Sequence, residues 1–227
     1  MYLIIVVGLL LLVLYGPGWW VRRVMARYAE PADRYPGSGG ELARHLLKRL
    51  KINDVIVEET SRGDHYDPDA RAVRLSPDNY HGRSLTAITV AAHEVGHAIQ
   101  HAIGYPPFQL RDRLVRMALI GQKVGAFLLL AIPVIILLTR HPGSGLLLFL
   151  GSFLTMGLAT LVHFVTLPTE FDASFNRAMP ILEQGGYLKE GDCHHARRIL
   201  TAAAMTYLAQ SLMSLLNIWS WLRMLRR

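Results

Sequence analysis

Three long apolar stretches constrain the fold of this 227-residue chain more than any other feature. The first runs from Tyr2 to Val21 without a charged side chain, the second from about Met117 to Leu138, and the third from about Gly145 to Leu167. About 20 such residues are enough to cross the hydrocarbon core of a bilayer. The short segment 139–144 between the last two stretches predicts a tight turn, so we expect these two to form a transmembrane helical hairpin.

The first stretch differs from a cleaved signal peptide, which has a positive n-region and a cleavage site flanked by small residues. Neither feature is present here. The stretch instead ends with Trp19 and Trp20, followed by Arg22 and Arg23, which is typical of an interfacial belt with a cytoplasmic anchor. We therefore predict an uncleaved transmembrane helix at the N-terminus.

The basic residues indicate how such a chain is oriented in the membrane. Of the 24 Lys and Arg, 15 lie in residues 22–118 and seven in residues 168–227, whereas the 139–144 turn holds one. By the positive-inside rule, the large middle segment and the tail are cytoplasmic.

Nucleic acid is not predicted as a partner, because the 15 basic side chains of the middle segment are balanced by 12 acidic ones. The single cysteine, Cys193, excludes a disulfide scaffold.

The sequence pattern of the middle segment, residues 22–116, predicts a small α+β region. We predict a linker at Pro31–Gly40, a helix at Glu41–Leu50, strands at Val55–Val57 and Ala72–Leu75, a turn at Gly63–Pro68 and a helix at Ser84–Ile103. Ser84 is a candidate N-cap for the last helix. These elements are short, whereas the apolar stretches on either side are long, so we expect a small folded domain attached to membrane helices.

One motif in the last of these helices indicates metal chemistry. His93-Glu94-Val95-Gly96-His97 is an H-E-x-x-H sequence. Residues i and i+4 lie on the same helix face, so two imidazoles placed there can reach one zinc ion. Glu94 can then act as the general base toward a water that zinc activates, and later as the acid toward the leaving amine. The other residues of this helix are mostly small and apolar, and buried His and Glu side chains in such a setting need a partner.

A catalytic zinc needs a third protein ligand. His101 lies about 80° further round the helix and some 12 Å along it from His93, too far to reach the same ion. The metzincin pattern fails as well, because Gln100 and Ile103 stand where it requires Gly and His. Glu170 follows the third apolar stretch, and the hairpin returns it to the membrane face that carries the motif. We expect Glu170 to be the third ligand, and the alternatives are Asp172, His65 and Asp67.

The combination of these features resembles a known family. The motif, the hairpin and the sequence Leu167-Pro168-Thr169-Glu170-Phe171-Asp172-Ala173-Ser174 are similar to those of the YugP-like neutral zinc metallopeptidases of bacteria. The flanking matches include Gly63-Asp64-His65-Tyr66-Asp67-Pro68 and Leu75-Ser76-Pro77, and the resemblance covers nearly the whole chain. It implies a membrane-embedded, gluzincin-like peptidase.

A more distant similarity is to the HtpX and CaaX-processing peptidases. Those carry an E-x-x-x-D pattern whose Glu binds zinc and whose Asp supports a ligand histidine. Glu170 matches that Glu, but Ser174 stands at the Asp position, so Asp172 becomes the candidate for this support. Asn176 and Arg177 could contact substrate or stabilise an oxyanion. The resemblance weakly suggests His65 and Tyr66 as donors of hydrogen bonds in the transition state.

The sequence therefore predicts a mainly α protein with multi-pass membrane helices and a small zincin-like α+β catalytic domain. Its parts are an N-terminal transmembrane helix (1–21), a cytoplasmic part with the motif (22–116), a transmembrane hairpin (117–167), and a region (168–227) with a third-ligand helix and a C-terminal amphipathic or membrane helix. In that last region Ile199–Leu222 is expected to lie at the membrane interface or to pack on the catalytic domain.

The predicted function is zinc-dependent endopeptidase activity at the cytoplasmic face of a bacterial inner membrane. One Zn²⁺ per chain is expected, with peptides or proteins as substrates, membrane proteins among them. One alternative is an intramembrane protease of the site-2 type, although the chain lacks the Asp-Gly sequence that supplies the third ligand there. The other is a non-catalytic zinc-binding membrane scaffold.

Overall fold

The computed structural model describes residues 2–206 of the chain. Within them the protein is mainly helical, as predicted, and it has a small sheet of three strands, one more than the two predicted. The helices are α1 (Tyr2–Tyr28), α2 (Gly39–Arg49), α3 (Pro77–Tyr80), α4 (Leu85–Ala102), α5 (Pro106–Thr139), α6 (Pro142–Phe171) and α7 (Met179–Gln184), with a π-helical segment at Asp172–Ala178 between α6 and α7. Residues 193–206 form a further helix, α8. The strands are β1 (Ile56–Glu59), β2 (His65–Asp67) and β3 (Ala72–Leu75).

The chain divides into two compact units. Among the described residues, the apolar unit contains those up to Tyr15 together with Leu110–Thr166, and the globular unit contains Gly16–Gln109 together with Leu167–Thr206. The motif and Glu170 both belong to the globular unit.

Two long helices dominate the apolar unit. Among the described residues, α5 is the one helix that is long and apolar enough to cross a membrane. Much of its apolar surface is exposed, including Phe127, Leu130 and Leu137. The predicted hairpin corresponds to α5 and α6, which are joined at Arg140 and His141. Helix α6 is longer than the third apolar stretch, because it includes Pro168 and continues to Phe171.

Helix α4 forms the centre of the globular unit, with 15 of its 18 residues buried. Its start is fixed by Ser84, whose side chain accepts a hydrogen bond from the Ala87 N–H, as the N-cap prediction requires. The helix packs against α2, α3, α7, the π-helical segment and strands β2 and β3. The predicted helix at 84–103 is thereby confirmed and carries the motif into the core.

The sheet has the order β1-β3-β2, with β3 parallel to β1 and antiparallel to β2. Strand β2 lies within the segment that was predicted to be a turn. The turn follows it instead, because Asp67 Oδ1 accepts hydrogen bonds from the backbone N–H groups of Asp69 and Ala70. Tyr66 is thus left in the strand with a buried side chain.

Residues 31–40, predicted to be a linker, are anchored at two points. At its C-terminal end, Ser38 forms a capping box with Glu41, so α2 begins at Gly39 rather than at Glu41. In its middle, Arg34 donates two hydrogen bonds to Asp192 at 2.7 and 2.6 Å, and the Tyr35 hydroxyl donates a third at 2.5 Å. These bonds connect the linker to the residue that precedes α8.

The beginning of α8 belongs to the core of the globular unit. Its Ala196, Ile199, Leu200 and Ala202 are fully buried and join the same apolar cluster as α2 and α4. The predicted C-terminal helix at 199–222 is therefore packed on the globular unit as far as residue 206, and its remainder lies outside the described residues.

Candidate metal centre

Three side chains with metal-binding atoms converge in the globular unit. His93 and His97 lie one turn apart on α4, and Glu170 lies at the last turn of α6. Glu170 Oε2 is 3.3 Å from His93 Nε2 and 3.2 Å from His97 Nε2. The ligand atoms lie within 4.8 Å of one another, and all three residues are buried. The structure thus brings together the three residues that the sequence suggested as metal ligands.

Gly96 allows this approach, since it lies on α4 between the two histidines. A Cβ added to Gly96 would stand 2.7 Å from the backbone carbonyl oxygen of Ala173 in the π-helical segment. Real Cβ atoms essentially never approach another heavy atom this closely. Only glycine lets the two backbones pack at this distance, which holds the Glu170 end of α6 against the histidines.

The π-helical segment that follows Glu170 supplies a further contact. Ser174 is fully buried, and its Oγ lies 3.0 Å from His93 Nδ1 and 3.3 Å from the Leu200 carbonyl oxygen. π-Helical turns are rare and frequently occur at functional sites. Ser174 stands at the position where the more distant families have an Asp, and it contacts a predicted ligand histidine directly.

His97 is held from its far side by a residue that the sequence reasoning missed. Gln100 Oε1 lies 3.0 Å from His97 Nδ1, and Gln100 Nε2 donates to the Thr169 carbonyl oxygen and to Asp172 Oδ2, both at 2.8 Å. Asp172, the residue expected to support a histidine, contacts His97 only through Gln100. The available signal was the i, i+3 spacing from His97 to Gln100, which places both on one helix face.

Asp172 is the anionic centre of this network. Asn176 Nδ2 donates to its Oδ1 at 2.9 Å, and Arg177 Nε donates to its Oδ2 at 3.2 Å. Burial raises the pKa of the Asp172 carboxyl, but the hydrogen bonds it accepts, first among them that from Gln100, outweigh burial and hold this pKa below its ordinary value. The side chains of Asn176 and Arg177, which the sequence suggested as substrate contacts or oxyanion donors, thus form hydrogen bonds to the Asp172 carboxylate.

Glu94, the predicted general base, is also buried, with 6% of its surface exposed. It follows His93 directly on α4 and lies about 100° further round the helix. It is not part of the three-residue cluster. A buried carboxyl residue next to a candidate ligand histidine, and outside the ligand cluster, is a candidate for a general base.

The other candidate residues lie away from the cluster. The Tyr66 hydroxyl hydrogen-bonds to His101 Nδ1 at 2.8 Å, and burial raises the Tyr66 pKa to about 12. His65 Nδ1 hydrogen-bonds to the Gly63 carbonyl oxygen at 2.8 Å, and Asp67 forms an ion pair with Arg74. None of these four, Tyr66, His101, His65 or Asp67, is among the metal-binding atoms that cluster in the described part of the chain.

The cluster fits a zinc ion on three grounds. Tetrahedral zinc with bonds of about 2.0–2.2 Å holds its ligand atoms about 3.3 Å apart, which matches both distances to Glu170 Oε2. Two histidines and one carboxylate also form a known donor set of catalytic zinc sites, which keep a fourth position open. Burial of a carboxylate beside two imidazoles is costly without a cation to bind them.

Comparison with known proteins agrees with this geometry. Residues 2–226 match the family described as "Putative neutral zinc metallopeptidase". The chain is 35% identical over 210 residues to the "Putative membrane protease YugP" of Bacillus subtilis (strain 168), and the match covers 89% of each protein. No solved structure gives a significant match. Zinc is the metal that both the family and the buried cluster support, and the chain belongs to the neutral zinc metallopeptidase family.

Proposed function

We propose that this protein is a zinc-dependent endopeptidase in which His93, His97 and Glu170 bind the metal and Glu94 is the catalytic base. The observation that carries the proposal is the convergence of three buried metal-binding side chains, His93, His97 and Glu170. Glu94 is a further buried carboxyl residue, next to His93 on α4. The family supports peptidase chemistry for such a site.

Each residue of the site has a chemical task in this proposal. A bound zinc ion supplies Lewis acidity, which polarises the scissile carbonyl group and acidifies water. His93 and His97 present neutral imidazole nitrogens, and Glu170 adds the negative charge. Glu94 takes the proton of the attacking water and returns it to the amine nitrogen as the peptide bond breaks.

We place the globular unit at the cytoplasmic face of a bacterial inner membrane, with α1, α5 and α6 as membrane spans. The length and apolar surface of α5 and the name of the Bacillus relative support membrane association. The excess of Lys and Arg in residues 22–118 and 168–227 supports the cytoplasmic side. Substrates would then be peptides or proteins that reach this face, including the cytoplasmic ends of membrane proteins.

The packing of α4 favours this reading over an intramembrane protease. Helix α4 is enclosed by α2, the π-helical segment and the sheet within the globular unit. In this proposal substrates reach the metal site from water rather than from lipid.

Hydrolysis of a fluorescently labelled casein by the detergent-purified, zinc-loaded protein tests the proposal. Glu94→Gln keeps the size of the side chain but removes the base, so we expect the rate to fall by about 10²–10⁴-fold. Glu190→Gln is the matched control, because Glu190 is exposed and lies outside the site. Undiminished hydrolysis by Glu94→Gln would rule out the assigned base, and the absence of hydrolysis by the wild type on any tested protein would favour a scaffold.

A further inference from the structure

Gln100 is a fully buried side chain, and both polar atoms of its amide have hydrogen-bond partners. Its Nε2 donates both hydrogens, one to the Thr169 carbonyl oxygen and one to Asp172 Oδ2, each at 2.8 Å. Its Oε1 faces His97 Nδ1 at 3.0 Å. The glutamine therefore connects α4 to the junction of α6 and the π-helical segment, and it does so beside a predicted metal ligand.

These contacts determine which way the amide points. A carbonyl oxygen and a carboxylate oxygen can only accept, so the NH₂ group of Gln100 must face Thr169 and Asp172. The amide oxygen is then left facing His97 Nδ1, and it too can only accept. His97 must carry its proton on Nδ1, which leaves the lone pair of Nε2 directed at Glu170 Oε2, where the metal would bind.

The two predicted ligand histidines are held by different means. Ser174 Oγ donates to the Leu200 carbonyl oxygen and so accepts from His93 Nδ1–H, but a hydroxyl rotates about a single bond. Gln100 cannot reverse without placing its oxygen against two acceptors. Asp172 is itself fixed by Asn176 and Arg177, so the amide has one favourable orientation.

We propose that Gln100 is a positioning residue that fixes the tautomer and ring orientation of His97, with Asp172 as its anchor. This inference rests on the proposed metal site and adds the residue that prepares one ligand for it. Groups that hold a ligand histidine by its second nitrogen contribute to metal affinity, and their loss typically weakens binding by about 10–100-fold. A merely structural glutamine would stabilise the fold without a selective effect on His97.

Cobalt substitution can separate these roles. In the full-length, detergent-purified protein loaded with Co²⁺, each ligand histidine with an Nδ1–H gives an exchangeable proton resonance shifted by the paramagnetic ion. The wild type is expected to show two, one for each histidine. Gln100→Met keeps the length of the side chain but removes the acceptor, so we expect one of the two resonances to be lost by fast exchange with water. Ser174→Ala is expected to affect the other.

Metal affinity gives a second readout by competition with a chelator. Gln100→Met should bind Co²⁺ and Zn²⁺ about 10–100-fold more weakly than the wild type, whereas Gln184→Met, at an exposed glutamine, should bind as the wild type does. Should Gln100→Met not fold, Gln100→Asn takes its place. It keeps the NH₂ group but is one methylene shorter, so its amide cannot reach both His97 and Asp172 and the same resonance should be lost.

The inference is overturned if Gln100→Met, or Gln100→Asn in its place, keeps both resonances and wild-type affinity. A wild-type protein that shows no shifted N–H resonances with Co²⁺ would instead contradict the metal site itself. The failure of the inference and that of the proposed function are therefore distinguishable.

Discussion

At the scale of single residues, Gly96 sets the distance between the two halves of the metal site. Gly96→Ala would force the added Cβ against the Ala173 carbonyl oxygen, so α4 and the π-helical segment must separate. We expect a loss of about 1–3 kcal/mol in the free energy of unfolding, as for other overpacked sites. Zinc affinity should fall too, because Glu170 moves away from the histidines. Thermal unfolding and chelator competition measure the two effects.

Gly8→Ala provides the matched control for this substitution. Gly8 is also helical, but a Cβ added there meets nothing within 4 Å. Alanine is favoured over glycine inside a helix by about 1 kcal/mol. Gly8→Ala should therefore leave stability unchanged or raise it, and an equal response of the two variants would show that the close approach at Gly96 is unimportant.

Whether a residue of the site could be predicted depends on how far along the sequence its contact partners lie. His93, Glu94 and His97 lie within five consecutive positions of one helix, so their spacing alone indicates a metal site. Glu170 is 73 positions from His97 and was found from the hairpin and the family resemblance. Gln100 was missed because its role depends on Asp172 and Thr169, which reach it only through the tertiary fold.

At the scale of elements, the π-helical segment determines how the third ligand is presented. It continues α6 without a break and carries Ser174, Asn176 and Arg177. A π-helical turn depends on packing as well as on local preference, and here the packing is the contact with Gly96. The sequence therefore indicated a helix after Glu170, but it could not indicate a π-helix.

The linker before α2 provides a second test at this scale. Asp192 is buried, and its carboxylate accepts hydrogen bonds from Arg34 and Tyr35. Burial raises the pKa of Asp192, but these hydrogen bonds outweigh burial and hold the pKa below its ordinary value. A carboxyl with a lowered pKa in the folded state stabilises the fold above its unfolded pKa of about 3.9, and this stabilisation is lost as the pH falls through the folded value.

Asp192→Asn should therefore destabilise the protein at neutral pH, by about 1.5–3 kcal/mol for hydrogen bonds to a charged group. It should also flatten the decline in stability at acidic pH, because the titrating group is gone. Thermal unfolding between neutral pH and about pH 3 measures both effects. Asp33→Asn, at an exposed neighbour of Arg34, is the control, and a similar loss in that variant would remove the special role of Asp192.

Elements whose ends are set by local hydrogen bonds were predicted well. The N-cap of α4 at Ser84 appears where the sequence placed it. Strand β2 was mistaken for a turn because the Gly63–Pro68 sequence is rich in turn residues, whereas its pairing with β3 is a tertiary contact.

At the scale of the whole molecule, the orientation across the membrane is the part of the proposal that can be tested independently of catalysis. Cys193 is exposed in the globular unit and is the chain's single cysteine. In spheroplasts of an expressing bacterium, a membrane-impermeant maleimide should label Cys193 only after the membrane is opened. Mildly alkaline conditions help, because the hydrogen bond to Glu183 raises the pKa of the Cys193 thiol.

A second cysteine placed in the predicted outer turn completes this experiment. In a Cys193→Ser background, Ser144→Cys should react in intact spheroplasts, because the positive-inside rule places the 139–144 turn outside. Labelling of Cys193 in intact spheroplasts would indicate the opposite orientation across the membrane. Protection of Ser144→Cys in intact spheroplasts would argue against a hairpin that crosses the membrane.

The zinc content of the purified protein tests the central claim most directly. The account predicts about one zinc per chain in the wild type, retention of that zinc in Glu94→Gln and in the exposed-site control Glu190→Ala, and its loss in Glu170→Ala. This pattern would assign Glu170 as a ligand and leave Glu94 available as a base. Wild-type zinc affinity in Glu170→Ala would contradict the site, because the geometry offers Glu170 as the third ligand of His93 and His97.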